Sequence, residues 1–204
     1  MTSTALGNLN VSRETIEQLT HYVSLVKKWS PRINLVSRSS LDDLWDRHIV
    51  DSAQLFSLAQ NEKTWLDLGS GGGFPGLVTS ILGVGQGLDR NTTLIESDTR
   101  KSVFLRTVIR ELELPAVVLN TRIEDAEPAK AEVLSARALS NLSQLLDHAL
   151  RHMSPNGVAL FPKGESWRKE VAEAKEQWSF DLEEFTSWTE PKAAILRIRG
   201  IKRV

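Results

Sequence analysis

The chain contains no cysteine. Disulfides, thiolate metal sites and cysteine nucleophiles are therefore excluded. Histidine is scarce, with only His21, His48, His148 and His152. The last two stand four residues apart on an expected helix, but they lack the intervening glutamate of a zinc-protease motif. They read as a surface pair, and no metal is expected. No apolar run is long enough to span a bilayer. The opening segment MTSTALGNLNVSRET has neither a basic start nor an apolar core. No secretory signal is expected, and the expected location is the cytoplasm. An excess of one charge is missing too: 25 Lys and Arg face 26 Asp and Glu, for a net charge of -1. The sum does not announce a nucleic-acid partner, although a local basic patch can hide beneath it. Internal repeats and long low-complexity linkers are absent, so a single domain is the simplest account.

What is present is ordinary globular composition, 41% hydrophobic and 25% charged in 204 residues. Residues 12–30 predict an amphipathic helix. Ser12 is its N-cap, Ile16, Leu19, Val23 and Val26 repeat at helical spacing, and Pro31 stops it. Residues 39–59 predict a second helix, with Leu41, Leu44, Trp45, His48, Ile49, Ser52 and Leu55 on its inward side. Together they form an N-terminal helical cap, residues 1–60, belonging to the same domain as a core at 61–204. The pattern then changes. Strands are expected at 64–68, 92–96, 116–120, 132–136 and 157–162. They alternate with helices starting at 77, 100, 141 and 166. This alternation predicts an α/β architecture with a mostly parallel, doubly wound sheet. Two strand-like runs in 180–200, separated by Glu190 and Pro191, suit a hairpin at one sheet edge.

The strongest local signal is WLDLGSGGGFPG at 65–76. Asp67, Gly69, Gly71 and Gly73 spell D-x-G-x-G-x-G where the first core strand meets the first core helix. Glycines there let a ligand approach the backbone closely. Two cofactors compete. Gly71, Gly73 and Gly76 also satisfy the dinucleotide spacing G-x-G-x-x-G. A dinucleotide needs amide donors for its pyrophosphate, and Pro75 removes one of them. Asp67 would repel the pyrophosphate but suits the cationic amino-acid end of S-adenosylmethionine (SAM), directly or through water. SAM is preferred over nicotinamide or flavin. Glu96, ending the second core strand, can accept both ribose hydroxyls of either cofactor. TRIED at 121–125 should lie beside the adenine. Ile123 could pack on the ring and Glu124 could fix the loop, or serve only as an exposed acidic turn.

Methyl transfer requires alignment of donor and acceptor and exclusion of water. Without cysteine, attack through a pyrimidine adduct is excluded. No Asn/Asp-Pro-Pro-aromatic segment is present, which argues against the amino group of adenine as acceptor. SARAL at 135–139 follows the fourth core strand instead. Arg137 faces the expected crevice. It cannot serve as a base near neutral pH, but it can orient a base edge or form a structural ion pair. Guanine N7 carries a lone pair and no proton, so its methylation needs no general base. RHIVDS at 47–52 puts Arg47 and Asp51 four residues apart, a largely structural arrangement, though Arg47 or His48 could reach a phosphate. Asn34 suits a turn or a pocket hydrogen bond, and Trp29 reads as core. Basic residues cluster at Lys27, Lys28, Arg32 and Arg38, at Arg100, Lys101 and Arg106, at Lys163 and Arg168, and at Arg197, Arg199, Lys202 and Arg203. Each cluster can be a phosphate contact or a solvated face.

In order along the chain, these residues resemble the RsmG family, also called GidB, of bacterial small-subunit rRNA methyltransferases. The resemblance rests on Trp29, Asn34 and Leu35, then Arg47-His48-x-x-Asp51-Ser52 and the loop from Asp67 through Phe74-Pro75-Gly76. It continues through Glu96-Ser97, Arg100-Lys101, Phe104-Leu105-Arg106, Arg122 with Glu124, Ser135-x-Arg137-Ala138 and Lys163-Gly164. It covers roughly residues 12 to 200. Ala136 within SARAL, Gly72 in the loop and Glu96 in place of aspartate depart from the commoner pattern. The resemblance implies a class I SAM-dependent methyltransferase fold, Rossmann-like, with a mostly parallel seven-stranded sheet and an N-terminal helical extension. It implies methylation at N7 of one guanine in a conserved 16S rRNA loop near the decoding centre, within the small subunit or its assembly intermediate, by a protein expected to be a monomer. It places Asp67, Gly69, Gly71, Gly73, Phe74, Glu96, Ile123, Glu124 and Arg137 at the cofactor, with Arg137 as the catalytic candidate. Asn34, Arg47, His48, Arg100, Lys101, Arg106 and Lys163 are candidates for the RNA side or its support. Competing readings are a SAM enzyme for another RNA base or a small molecule, a non-catalytic SAM-binding assembly factor, and a nicotinamide oxidoreductase.

Overall fold

Five core segments rich in Val, Leu, Ile and Ala build a parallel sheet in the computed structural model, which describes residues 4–37 and 40–204. Arg38 of the first basic cluster and Ser39, the first residue of the expected second helix, lie outside the described residues. The parallel strands are β3 (Thr64–Leu68), β4 (Asn91–Ile95), β5 (Ala116–Leu119), β6 (Ala131–Ala136) and β7 (Met153–Lys163). The edge hairpin is β8 (Trp178–Thr186) and β9 (Ala194–Arg203). The order is β5-β4-β3-β6-β7-β9-β8, with β9 antiparallel to both neighbours. A separate small hairpin, β1 (Thr4–Leu6) with β2 (Leu9–Val11), precedes them. Its strands are too short to show alternation in the sequence.

Central strands read as unbroken apolar runs because both faces are covered. On one face lie α1 (Arg13–Ile33), α2 (Asp51–Ser57), α3 (Gly76–Gly85) and α4 (Thr99–Glu111). On the other lie α5 (Leu142–His152) and α6 (Trp167–Ala174). Separate hydrophobic clusters fill the two faces. The winding reverses between β3 and β6, and a crevice outside the carboxyl ends of the strands is the expected ligand position.

Pro31 does not stop α1. The helix runs to Ile33 and closes at Asn34, whose backbone is left-handed (φ 50°) and whose N–H bonds Ser30 O at 2.9 Å. Proline removes only its own donor, and its exposed position leaves water to satisfy the carbonyl it would have met. The second helix also differs. A π-helical turn spans Trp45–Val50, and regular α-helix begins only at Asp51 with α2. Apolar spacing cannot reveal one extra residue in a turn. No helix among the described residues is long and apolar enough to cross a membrane.

Candidate functional site

The glycine loop leaves β3 through Gly69, Gly71 and Gly73, with φ of 60°, 55° and 91°. Glycine adopts these angles without strain. The space around the three differs. A Cβ on Gly69 would stand 2.6 Å from Leu139 Cδ1, and one on Gly73 would stand 2.8 Å from Tyr22 Oη. One on Gly71 would meet nothing nearer than Gly69 O at 3.8 Å, so Gly71 opens onto the crevice. Tyr22, buried on α1, donates to Gly72 O and packs against Phe74 at 5.2 Å. The N-terminal helix therefore holds the loop directly.

Glu96 sits just beyond β4, almost buried. One carboxylate oxygen accepts from Gly71 N–H at 2.8 Å and the other from Asp98 N–H at 2.7 Å. Each keeps a lone pair for a ligand hydroxyl. Asp67 is fully buried. Its Oδ1 accepts from Ser135 Oγ at 2.6 Å, and Ser135 in turn accepts from Trp65 Nε1 at 2.8 Å. Its Oδ2 is buried with no partner. Burial pushes this carboxyl up to about 6, against the opposing pull of Ser135, Ser70, the Gly76 amide and Arg137.

Ile123, at the expected adenine position, is nearly buried, and its carbonyl accepts from His152 Nε2 at 3.0 Å. This corrects the surface-pair reading, because His152 is fully buried and braces the 121–125 loop, and burial lowers its pKa. His148 lies 3.9 Å from the largely exposed Glu124. Among the described residues no group of three or more His, Asp or Glu side chains could hold a metal ion.

Arg137 follows β6 and reaches across to the π-helical turn. Its Nη2 donates to His48 Nδ1 at 2.6 Å, and its Nη1 lies 3.3 Å from Asp51 Oδ2 and 3.2 Å from Arg47 O. Its guanidinium lies over the Phe74 ring at 5.2 Å, and His48 stacks on the same ring at 4.8 Å. Arginine has no acceptor, so His48 Nδ1 is unprotonated and Nε2 carries the hydrogen. Burial, then Arg137 and Arg47, push His48 down to about 3. The π turn brings these groups together, because Asp51 N–H reaches back five residues to Asp46 O. Asp51 therefore pairs with Arg137 across the fold and not with Arg47 on its own helix, as their spacing suggested. Thr189 Oγ1 at 3.2 Å and Gln54 Nε2 at 2.8 Å hold the other Asp51 oxygen.

These side chains open on a cavity of about 550 Å³. Arg47, His48, Asp51 and Arg137 line one part, Lys163 another, and the β8–β9 connection with Thr189 and Glu190 a third. Lys163 is nearly buried. Its Nζ donates to Ser140 O and to Glu170 Oε2, both at 2.8 Å, so it supports the loop that carries Arg137. Arg100 pairs with Asp98 at 2.9 Å, and Arg106 donates to Val118 O at 3.2 Å. Both lie on α4 with Lys101, and none of the three lines the cavity. Asn34 is an exposed helix cap. On β9, Arg197, Arg199 and Arg203 face Glu183, Glu62 and Asp147. Sequence reading missed Tyr22 as the loop's anchor, Ser135 as the partner of Asp67, and Gln54, Glu170 and Leu139. Ser135 carried a signal, since a small polar residue in a buried strand beside an aspartate invites pairing.

A protein-family model described as GidB, rRNA small subunit methyltransferase G, matches residues 15–196. The chain is 52% identical over 200 residues to the Ribosomal RNA small subunit methyltransferase G of Ruegeria sp. (strain TM1040), covering 97% of this chain and 98% of that one. It is 47% identical over 205 residues to the protein of the same description from Cereibacter sphaeroides (strain ATCC 17029 / ATH 2.4.9), covering 100% of both. Among solved structures it is similar to a SAM-dependent methyltransferase from Aquifex aeolicus, with a TM-score of 0.58 and 13% identity over 86% of this chain and 97% of that one. That last likeness establishes the class I methyltransferase fold.

Proposed function

The chain belongs to the rRNA small subunit methyltransferase G family, and from that premise we propose that it transfers a methyl group from SAM to N7 of one guanine in small-subunit rRNA. The observation that carries this reading is Arg137, fixed by three partners on the rim of an open cavity and seated over the Phe74 ring of the glycine loop.

The residues present fit the cofactor. Gly71 faces open space, two amides fix the Glu96 carboxylate, and Asp67 keeps one buried oxygen without a partner. Glu96, Gly71 and Ile123 would hold the adenosine end, with Asp67, Gly69, Gly73, Phe74 and Glu124 completing the site. When bound, SAM supplies a methyl group on a positively charged sulfur, activated for in-line displacement. The protein's own contribution is positioning. Arg137 orients the acceptor, or a flanking phosphate, with its unengaged N–H groups. Asp51 balances the arginine charge, so that a ring gaining positive charge is not faced by an unopposed cation. Neutral His48 accepts from Arg137 and fixes its plane. N7 carries no proton, so transfer to this acceptor needs no general base.

The test is incubation of the purified protein with methyl-labelled SAM and undermethylated small subunits, followed by nucleoside mass spectrometry. A single 7-methylguanosine in the decoding-region loop is the expected result. Intact SAM binding with no transfer to subunits, or transfer to another base, would overturn it. Naked 16S rRNA run in parallel distinguishes the assembled particle from free RNA as substrate.

A further inference from the structure

Both purines carry a lone pair at N7, so the reacting atom cannot tell guanine from adenine. Discrimination has to come from the other edges of the base, and the cavity's charge inventory shows where. Its lining holds the cations Arg47, Arg137 and Lys163 and the carboxylates Asp51, Glu170 and Glu190. Two pairs consume four of these. Arg137 meets Asp51 at 3.3 Å, and Lys163 meets Glu170 at 2.8 Å. Asp51 is further engaged by Gln54 and Thr189, and Glu170 by the Leu142 amide at 3.0 Å. Among the described residues, Arg47 and Glu190 have no ion-pair partner. The Glu190 carboxylate accepts only from the Lys192 amide, at 3.3 Å.

Glu190 is exposed, so water solvates its carboxylate in the free protein. In the wall of this cavity it repels phosphates and offers both oxygens to a ligand that brings donors. Guanine supplies them. Its N1–H and 2-amino group form a side-by-side donor pair that matches the two oxygens of a carboxylate. Adenine presents the N1 lone pair in that place and would meet the same carboxylate with repulsion. With N7 turned toward the methyl donor and O6 toward Arg137, the N1–H and 2-amino edge is left for another wall of the cavity. Resting on the methyl-transfer reading above, we infer that Glu190, on the β8–β9 connection, is the specificity-determining residue that reads the N1–H and 2-amino edge of the target guanine.

Subunits reconstituted around a ligated 16S RNA with guanosine or inosine at the target position test this, because inosine lacks only the 2-amino group. The wild-type protein should lose about 10-fold in kcat/KM on inosine. Glu190→Ala should lose about 30-fold on guanosine, and its guanosine-to-inosine ratio should fall close to one. Glu190→Gln, which keeps one acceptor oxygen, should fall between. SAM affinity measured by calorimetry should stay within about 2-fold for both variants, which also reports that they fold. An equal rate of the wild-type protein on both substrates would sink the assignment without recourse to any variant. So would an alanine variant with the full inosine penalty. Failure of the wild-type protein to form 7-methylguanosine on guanosine subunits would instead overturn the reaction reading, and this assignment with it.

Discussion

Asp67 is buried without a full set of partners, and its ionisation sets a measurable trend. Its folded pKa is raised to about 6, by burial first. A carboxyl raised above its unfolded value favours the folded state below the unfolded pKa, and that advantage is lost as pH rises through the folded one. Asp67→Asn removes the titration. The variant's melting temperature relative to the wild type should therefore rise between about pH 4 and pH 6 and then level off, by on the order of 5 °C. Thermal unfolding without cofactor across that range checks it, and a flat difference would refute the burial argument. His48 works in the opposite sense. Its folded pKa is lowered to about 3, so the stability it contributes is complete above the ordinary histidine value and is lost as pH falls toward 3. At neutral pH it stays an acceptor for Arg137. Arg137→Lys keeps the charge but cannot reach His48, Asp51 and the Arg47 carbonyl together. Single-turnover methylation should drop about 100-fold, with SAM affinity within about 3-fold. An unaltered rate would show that charge alone suffices.

At the scale of elements, two junctions decide the geometry of the site. The first is the start of α3. A Cβ on Gly76 would lie 2.5 Å from Leu94 Cδ2 and 2.8 Å from Asp67 Cβ. Gly76→Ala should cost about 2 kcal/mol through overpacking, read by chemical denaturation, and should weaken SAM binding through displacement of Asp67. The second junction joins β7 to α6 through Lys163 and Glu170. Lys163→Met leaves Glu170 unpaired and should cost about 3 kcal/mol, with slower methyl transfer because the loop bearing Arg137 loses its brace. Loss of RNA affinity alone, with stability intact, would return Lys163 to the RNA side. The sequence disclosed the strands of the main sheet, the glycine loop and the edge hairpin, because these depend on local patterning. It did not disclose the π turn, since the spacing of Leu44, Trp45, His48 and Ile49 suits a regular helix as well. Nor did it disclose Arg137 with Asp51, which lie 86 residues apart, or the burial of His152. Those depend on which faces meet once the sheet is wound.

On the scale of the whole molecule, the N-terminal segment and the core share one hydrophobic cluster. Leu19, Tyr22 and Val26 of α1 and Phe56 of α2 are fully buried in the same cluster as Leu77, Leu94 and Phe104. A single calorimetric unfolding transition is expected for the full chain, and two resolved transitions would show that the segment at 1–60 folds on its own. The cavity depends on this unity. One wall comes from residues 47–51 and another from residues 187–195, so the cavity is the joint product of the N-terminal segment and the C-terminal hairpin. During synthesis the glycine loop and β4 leave the ribosome long before β9. A half-made chain can form the glycine loop, but it lacks the cavity wall that residues 187–195 supply. On the proposed reading, vectorial emergence would therefore leave the acceptor pocket unfinished until the last strand has slipped between β7 and β8.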